Sequence, residues 1–340
     1  MIKVKVVNWR CIEDLELELS RINVFLGPNS TGKSSLAYAI YFASKSKTHD
    51  PQYLLTQMYG HNFNEIARLV ENQPQFPISI RINESEFFVD KREQKFEINR
   101  LPSSPWVDEF LLPSRRIDYI QIIMFLPRMI GELKGKPEAT LIASFTGALF
   151  ELFKAIPLLP PFGIFVMDYT RALTGLQLEL VKGGIKNVGS YMVHVHPLFS
   201  LIELTIQDPY TKLQLPVELA PDGLLDFSIF DSMIERIPEN SLVVIEEPEI
   251  HKNPLMVKEF TEHVVKRILN KGLTLIMTTH SDIPIITMGK LVAGKILKPE
   301  EVKVYYFKRD PWTKISEIKV YEDGTVESLP DTEELITRLF

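Results

Sequence analysis

Cysteine is nearly absent from the sequence: Cys11 stands alone among 340 residues. One thiol cannot close an internal disulfide or furnish a cysteine zinc cluster, which excludes a disulfide-stapled secreted scaffold and fits a reducing compartment. A dominant charge of one sign is missing too. The 38 basic and 44 acidic side chains leave a net charge of −6, so no global field draws the chain onto nucleic acid or an anionic membrane. Short basic clusters, Lys91-Arg92 with Lys95 and the pair Arg115-Arg116, are expected as solvated surface. Long apolar runs are also lacking. The longest, Leu141 to Val166, is broken by Glu151, Lys154, Pro157, Pro160 and Pro161, and the start MIKVKVVNWR has no signal-peptide core. These absences predict a soluble, cytoplasmic chain that is not attached to a membrane. Neither an internal repeat nor a sustained heptad pattern is present, which excludes a solenoid and a long coiled-coil arm.

What is present is ordinary globular composition, 45% hydrophobic and 24% charged, with enough apolar side chain for a core at this length. Residues 2 to 7 and 12 to 19 alternate apolar and polar with the two-residue period of half-buried strands, and Arg21 to Leu26 reads as a buried strand. A helix is expected over Ser35 to Ser44. Pro77 to Arg100 carries three strand-like segments separated by polar breaks suited to hairpins. From Trp106 to about Lys182 the pattern turns helical and apolar, and strand character returns at Leu201 to Gln207 and Leu213 to Leu219. A helix at Leu224 to Glu235, a very apolar strand at Leu242 to Ile245, a helix at Pro254 to Asn270 and a buried strand at Leu273 to Thr278 follow. That alternation predicts a parallel sheet covered on both faces. VKVYYF and KISEIKV suggest a final hairpin, and a terminal helix is expected from Asp331. The expected division is 1–104 as the first half of a core with an antiparallel β subdomain, 105–190 as an inserted helical lobe, 191–300 as the second half of the core, and 301–340 as the hairpin and helix.

The strongest chemical signal is Gly27-Pro28-Asn29-Ser30-Thr31-Gly32-Lys33-Ser34, which fits the phosphate-loop pattern G-x-x-x-x-G-K-[ST]. A chance match in a chain this long has a probability on the order of one per cent. The context is also right, with a buried strand before it and a helix from Ser35 after it. The two glycines allow close backbone approach, so successive amides and a helix N-terminus face the phosphates of ATP. Lys33 is expected at the β- and γ-phosphates and the Ser34 hydroxyl on Mg²⁺.

A phosphate loop alone serves kinases, GTPases and motors, so a second element must decide. Leu242-Val-Val-Ile-Glu246-Glu247-Pro-Glu249 is a buried strand ending in adjacent carboxylates. Glu246 suits a water-mediated contact to Mg²⁺, and Glu247 suits orientation or deprotonation of the attacking water. One strand later, Thr278-Thr279-His280-Ser281-Asp282 puts a histidine past the end of another apolar strand. Because phosphate loops of parallel sheets gather at the carboxyl ends of the strands, His280 is expected beside Lys33 and Glu247. This pairing is not a kinase pattern.

The set GPNSTGKS, VVIEEPEIHKNP and TTHSD resembles the ABC-type ATPase head of the branch shared by SMC-like proteins, OLD-family ATPases and related stand-alone "AAA-type" ATPases. Weaker likenesses are Val7-Asn8-Trp9-Arg10, similar to an N-F-[RK] loop, Leu112-Pro-Ser-Arg115, similar to P-[AS]-x-R, and the C-terminal hairpin with Glu322-Asp323-Gly324. The resemblance implies an α/β P-loop NTPase of ABC type: a mixed sheet with an antiparallel β subdomain and an inserted helical lobe. It implies that Arg10 and Ser35 join Gly27 to Ser34 in nucleotide binding, that Lys33, Glu247 and His280 are catalytic, that Ser34 and Glu246 hold Mg²⁺, and that Glu249 to His251 run along a dimer seam. It further implies a head-to-tail homodimer in which a Ser-Gly signature at one subunit's helix start caps the other's ATP. Here that stretch reads Leu219-Ala220-Pro221-Asp222-Gly223, and Asp222, a good helix N-cap, would repel a phosphate. A lobe-joining glutamine is also implied; Gln73, Gln75 and Gln121 are candidates.

No SMC arm is expected, since no long heptad run lies between Ser34 and Glu246; no OLD-type nuclease domain, since the sixty residues after His280 are mostly strand-like; and no transporter role, since the canonical signature is absent. The resemblance therefore implies a nucleotide-driven switch in DNA maintenance or defence against mobile elements, working with DNA or an effector on another chain. The alternative expectation is a nucleotide-gated interaction scaffold with little or no ATPase activity.

Overall fold

The computed structural model describes residues 1–120, 161, 163–165, 168–169, 186–188, 191–195, 202–207, 213–216 and 221–328. In chain order the elements begin with β1 (Ile2–Trp9), β2 (Ile12–Leu19), β3 (Ile22–Leu26), α1 (Lys33–Lys45), α2 (Pro51–Tyr59) and α3 (Phe63–Ile66). Next come β4 (Leu69–Val70), β5 (Gln73–Pro74), β6 (Ile78–Ile82), β7 (Ser85–Arg92), β8 (Lys95–Asn99) and β9 (Glu109–Leu112). Four short strands follow, β10 (Lys186–Val188), β11 (Tyr191–Val195), β12 (Ile202–Gln207) and β13 (Gln214–Pro216). The remainder is α4 (Asp222–Ile234), β14 (Leu242–Glu246), α5 (Pro254–Asn270), β15 (Thr274–Thr279), α6 (Ile283–Ala293), β16 (Val302–Arg309) and β17 (Thr313–Ile318).

The chain folds as two compact units. The first comprises Met1–Thr56, His61–Ser114 and the chain from Pro238 onward. Its six-stranded sheet has the order β17-β16-β3-β15-β14-β9, parallel from β16 to β9, with β17 antiparallel at the edge. Every residue of β3, β9 and β14 is buried, as the continuous apolar runs of a doubly covered parallel sheet require. A second, antiparallel sheet has the order β2-β1-β6-β7-β8, so the alternating segments at the start of the chain and the Pro77–Arg100 hairpins form one subdomain. The mixed-sheet class with an antiparallel subdomain is thus the observed one.

Helix α1 is apolar around nearly its whole circumference, and all of its residues but Ser34 are buried, which places it inside the unit. Trp9, at the end of β1, lies 5.2 Å from Phe42 of α1, and Phe42 meets the Phe87 ring of β7 edge-on at 5.1 Å. These aromatic contacts tie α1 to the antiparallel sheet. At the other end of the helix Lys45 is fully buried, its Nζ donating to Glu109 O at 2.7 Å and lying 3.2 Å from Asp108 Oδ1, which ties α1 to β9.

The second unit comprises Gln57–Gly60 and Arg115–Ile237. Its described part contains α4 and an antiparallel sheet in the order β10-β11-β12-β13. Most of the helical stretch expected from Trp106 to Lys182 lies outside the described residues, as do Ala220, Gln121 and the terminal helix from Asp331. Where that stretch is described it begins as a strand: Glu109–Leu112 pairs in parallel with Leu242–Ile245. Three consecutive buried apolar residues, Phe110 to Leu112, do not separate strand from helix on pattern alone. Two further expectations need correction. Arg116 is not solvated surface; it is fully buried and bonded twice to the equally buried Asp226, at 2.5 Å and 2.7 Å. Asp222 is not the cap of α4 but its first residue, with Pro221 at the N-cap and no capping side-chain hydrogen bond. Among the described residues no helix is long and apolar enough to cross a membrane.

Candidate active site

The site lies wholly in the first unit, at the carboxyl ends of three neighbouring parallel strands. Register brings them level: Thr279 is opposite Leu26, and Thr278 is opposite Glu246. The segments that follow β3, β14 and β15 therefore leave the sheet side by side, which carries Lys33, Glu247 and His280 to one place.

Between β3 and α1 the loop Gly27–Gly32 is held in left-handed backbone geometry at Gly27 (φ 146), Ser30 (φ 63) and Gly32 (φ 106). A β-carbon at Gly27 would lie 2.5 Å from the Phe307 carbonyl oxygen, and one at Gly32 would lie 2.3 Å from Thr313 Oγ1. Both positions exclude any other residue. The C-terminal hairpin braces the loop. Thr313 Oγ1 donates to Thr31 O at 2.9 Å, its backbone N–H donates to Cys11 O, and Arg309 Nη1 reaches Ser30 O at 3.3 Å. Thr31 Oγ1 donates to Pro28 O at 2.9 Å. Asn29, with its neighbours, is part of the exposed tip, and Ser35 is buried with its hydroxyl 3.7 Å from Cys11 Sγ.

Helix α1 begins at Lys33 with Gly32 as N-cap, no capping side chain and no acidic residue in its first turn. Its leading N–H groups and its dipole are thus left for an anion rather than for a protein carboxylate. Lys33 Nζ, buried at the foot of the loop, donates to the carbonyl oxygens of Gly27 and Pro28, both at 2.7 Å.

His280 touches the same carbonyl. Its Nδ1 is 2.9 Å from Gly27 O, which requires a proton on that nitrogen. The 3.3 Å approach of Lys33 Nζ to Nδ1 is then a contact of two donors, not a hydrogen bond. Nε2 faces Glu247 Oε1 at 3.4 Å, with each side chain 31% exposed. Burial raises the Glu247 carboxyl above the usual carboxylate range; His280 opposes that shift, and the Glu246 and Glu249 charges add to it. Glu247 also has φ 45, a region in which glutamate is strained, and its N–H is tied to Thr278 O at 2.8 Å.

Glu246 ends β14 and is buried. Its Oε2 accepts from the Tyr38 hydroxyl at 2.6 Å and from Ser114 N at 3.3 Å. Tyr38 is four residues beyond Ser34, one turn along α1, so hydroxyl and carboxylate come from the same helix face and the strand opposite. Among the described residues no three metal-binding side chains cluster. The Glu246 carboxylate and the Ser34 hydroxyl are oxygen donors of the kind Mg²⁺ takes beside phosphate oxygens and water. The uncapped helix start and buried Lys33 fit a polyphosphate.

Arg10 is exposed on the β1–β2 turn with φ 53, its N–H bonded to Ile66 O at 2.8 Å; it adjoins Cys11, and hence the loop, through Thr313. Gln73 and Gln75 sit at β5, the Gln75 amide donating to Gln73 O. Local pattern does not single out Tyr38, Thr313 or the contact of Glu249 with Thr279 and His280, because each acts through a partner thirty or more positions away. The only available sign of Tyr38 was its four-residue spacing from Ser34.

Two family profiles match the chain. Residues 1–112 match the AAA ATPase domain, and residues 198–283 match an AAA domain whose description names the AbiEii toxin and type IV TA systems. The chain is 24% identical over 300 residues to the DNA replication and repair protein RecF of Bacillus thuringiensis strain Al Hakam, covering 85% of this chain and 73% of that one, and equally to RecF of Bacillus cereus strain B4264. Among solved structures, an Smc head bound to the C-terminal winged-helix domain of ScpA superposes with a TM-score of 0.53 at 14% identity, over 94% of this chain and 98% of that one. An Smc head with an extended coiled coil, bound to the ScpA C-terminal domain derived from Pyrococcus furiosus, gives 0.50 at 11% identity over the whole of both. With the phosphate loop, the acidic strand end and the histidine assembled as described, the two ATPase-domain matches and the SMC-head fold support an ABC-type P-loop ATPase that hydrolyses ATP.

Proposed function

We propose that the chain is a Mg²⁺-dependent ATPase whose nucleotide cycle switches a homodimer, or a complex with a separate effector, between two states in DNA maintenance or defence. The observation that carries the reading is the meeting of Lys33, Glu247 and His280 at one mouth, with His280 Nε2 3.4 Å from Glu247 Oε1. In this reading the amides of Gly27 to Ser35 and the Lys33 ammonium bind the phosphates, and Arg10 approaches them from the hairpin turn. Ser34 and Glu246 would hold Mg²⁺, which would supply charge neutralisation of the polyphosphate. Glu247 takes a proton from the attacking water as the new O–P bond forms and the bond to the β-phosphate oxygen breaks, that oxygen leaving on ADP with the electron pair. His280, anchored on Gly27 O, orients the Glu247 carboxylate and stabilises its charged form.

DNA and a protein partner enter from the relatives: RecF is named for DNA replication and repair, and the Smc heads are seen with ScpA. The setting we propose is the cytoplasm. Steady-state hydrolysis with and without duplex DNA, against Glu247→Gln, tests the reading. Binding of ATP with turnover slowed by about 10²-fold or more in the variant is the expected outcome. Undiminished turnover would remove Glu247 from the mechanism, and hydrolysis indifferent to DNA would move the partner from DNA to protein.

A further inference from the structure

Glu249 stands two residues past Glu247, beyond Pro248, where β14 leaves the sheet. It does not project away from the active site. Its Oε1 accepts from the His280 backbone N–H at 2.7 Å and from Thr279 Oγ1 at 2.9 Å. Thr279 Oγ1 in turn accepts from Ser281 N at 3.0 Å. One carboxylate oxygen therefore pins three successive residues at the end of the neighbouring strand β15, the middle one being the histidine that faces Glu247. A second tie, Glu247 N to Thr278 O at 2.8 Å, crosses the same gap between the strand ends. Together the two ties hold the backbones of Glu247 and His280 at a fixed separation.

The other oxygen, Oε2, is buried and makes no hydrogen bond, and no cation pairs with Glu249 among the described residues. Leaving a carboxylate oxygen buried and unbonded costs stability. A neutral side chain would close the same turn without that cost. The charge adds strength instead to the bond on His280 N–H, since hydrogen bonds to an ionised acceptor are about twice as strong as neutral ones.

We propose that Glu249 is a positioning residue for ATP hydrolysis, fixing the His280 backbone so that the imidazole reaches both Gly27 O and Glu247. This rests on the proposed roles of Glu247 and His280. The test compares Glu249→Ala, Glu249→Gln and Thr279→Val with His280→Ala and Glu247→Gln, each with its thermal melt, ATP affinity and steady-state kinetics. Misplacing a reacting group by about 1 Å costs up to about a hundredfold. Glu249→Ala is thus expected to lower kcat by about ten- to a hundredfold with KM for ATP nearly unchanged, while Glu249→Gln, which keeps an acceptor oxygen, recovers most of the rate. In the His280→Ala background the Glu249→Ala loss should vanish, because both changes disable one unit.

Wild-type turnover in Glu249→Ala, or a loss that persists undiminished when His280 is already removed, would overturn the proposal. A Gln variant as slow as the Ala variant would do the same. Should Glu249→Ala fail to fold, Thr279→Val decides: it removes one donor to Oε1, and an unchanged kcat there refutes the clamp. If Glu247→Gln itself turns over normally, the underlying mechanism falls; if Glu247→Gln is slow and Glu249→Ala normal, only the clamp does.

Discussion

Replacing Gly27 with alanine should both destabilise the protein and disable its nucleotide site, and the structure sets the size of the effect. The added β-carbon would lie 2.5 Å from the Phe307 carbonyl oxygen, a backbone atom that cannot swing aside. Phe307 belongs to β16, which is laddered to β3 on one side and to β17 on the other, so retreat would break sheet hydrogen bonds. Backbone strain at φ 146 costs about 1–3 kcal/mol, and overpacking a rigid neighbour costs about 1–3 kcal/mol more. The sum, about 2–6 kcal/mol, corresponds to a fall in melting temperature on the order of 10 °C. Function suffers separately, because the Gly27 carbonyl holds both Lys33 Nζ and His280 Nδ1. Differential scanning fluorimetry and equilibrium binding of a fluorescent ATP analogue read the two effects. A variant that melts within about 2 °C of wild type and binds the analogue equally well would show that the loop is not packed as described.

Three further outcomes are expected. Tyr38→Phe removes a hydroxyl that donates to the Glu246 carboxylate at 2.6 Å; a net loss of about 1.5–3 kcal/mol in urea titrations is expected, with more Mg²⁺ needed for half-maximal turnover, and an unchanged midpoint would contradict the contact. Arg116→Met strands the fully buried Asp226 and should cost about 3–5 kcal/mol, most of it recovered by adding Asp226→Leu; additive losses in the double variant would refute this. Burial raises the Tyr305 phenol from 10.0 to about 12, so the native state holds that proton more tightly than the unfolded one. Its contribution is complete below pH 10 and is lost as pH rises toward 12. Urea midpoints across that window should fall less steeply in Tyr305→Phe than in wild type, and identical slopes would be the contrary result.

Much of this molecule was readable along the chain because its signals are local. Gly27 to Ser34 carries its own geometry, the apolar run Leu242–Ile245 ends in a carboxylate pair, and Pro254 to Asn270 matches α5 to the residue, with Asn253 capping it. Arg116 was misread for the opposite reason. Its burial is decided by Asp226, 110 positions away, and an arginine's neighbours in sequence do not reveal a distant counter-ion. Glu109–Leu112 was misread because the short apolar run Phe110–Leu112 has no period, and only its alignment with β14 makes it a strand.

The sequence by itself determined the chemical groups: a loop that cradles phosphates, a lysine, two adjacent carboxylates and a histidine, each placed after a buried strand by local hydrophobic pattern. Only the tertiary structure decided their relations. The register of β3, β14 and β15 set Lys33 and His280 on one carbonyl oxygen, that of Gly27, and His280 against Glu247, and Tyr38 and Glu249 acquired their partners. Hydrogen bonds of 2.6–2.9 Å between residues thirty to more than two hundred positions apart depend on chain topology, and topology is a property of the whole sheet rather than of any segment.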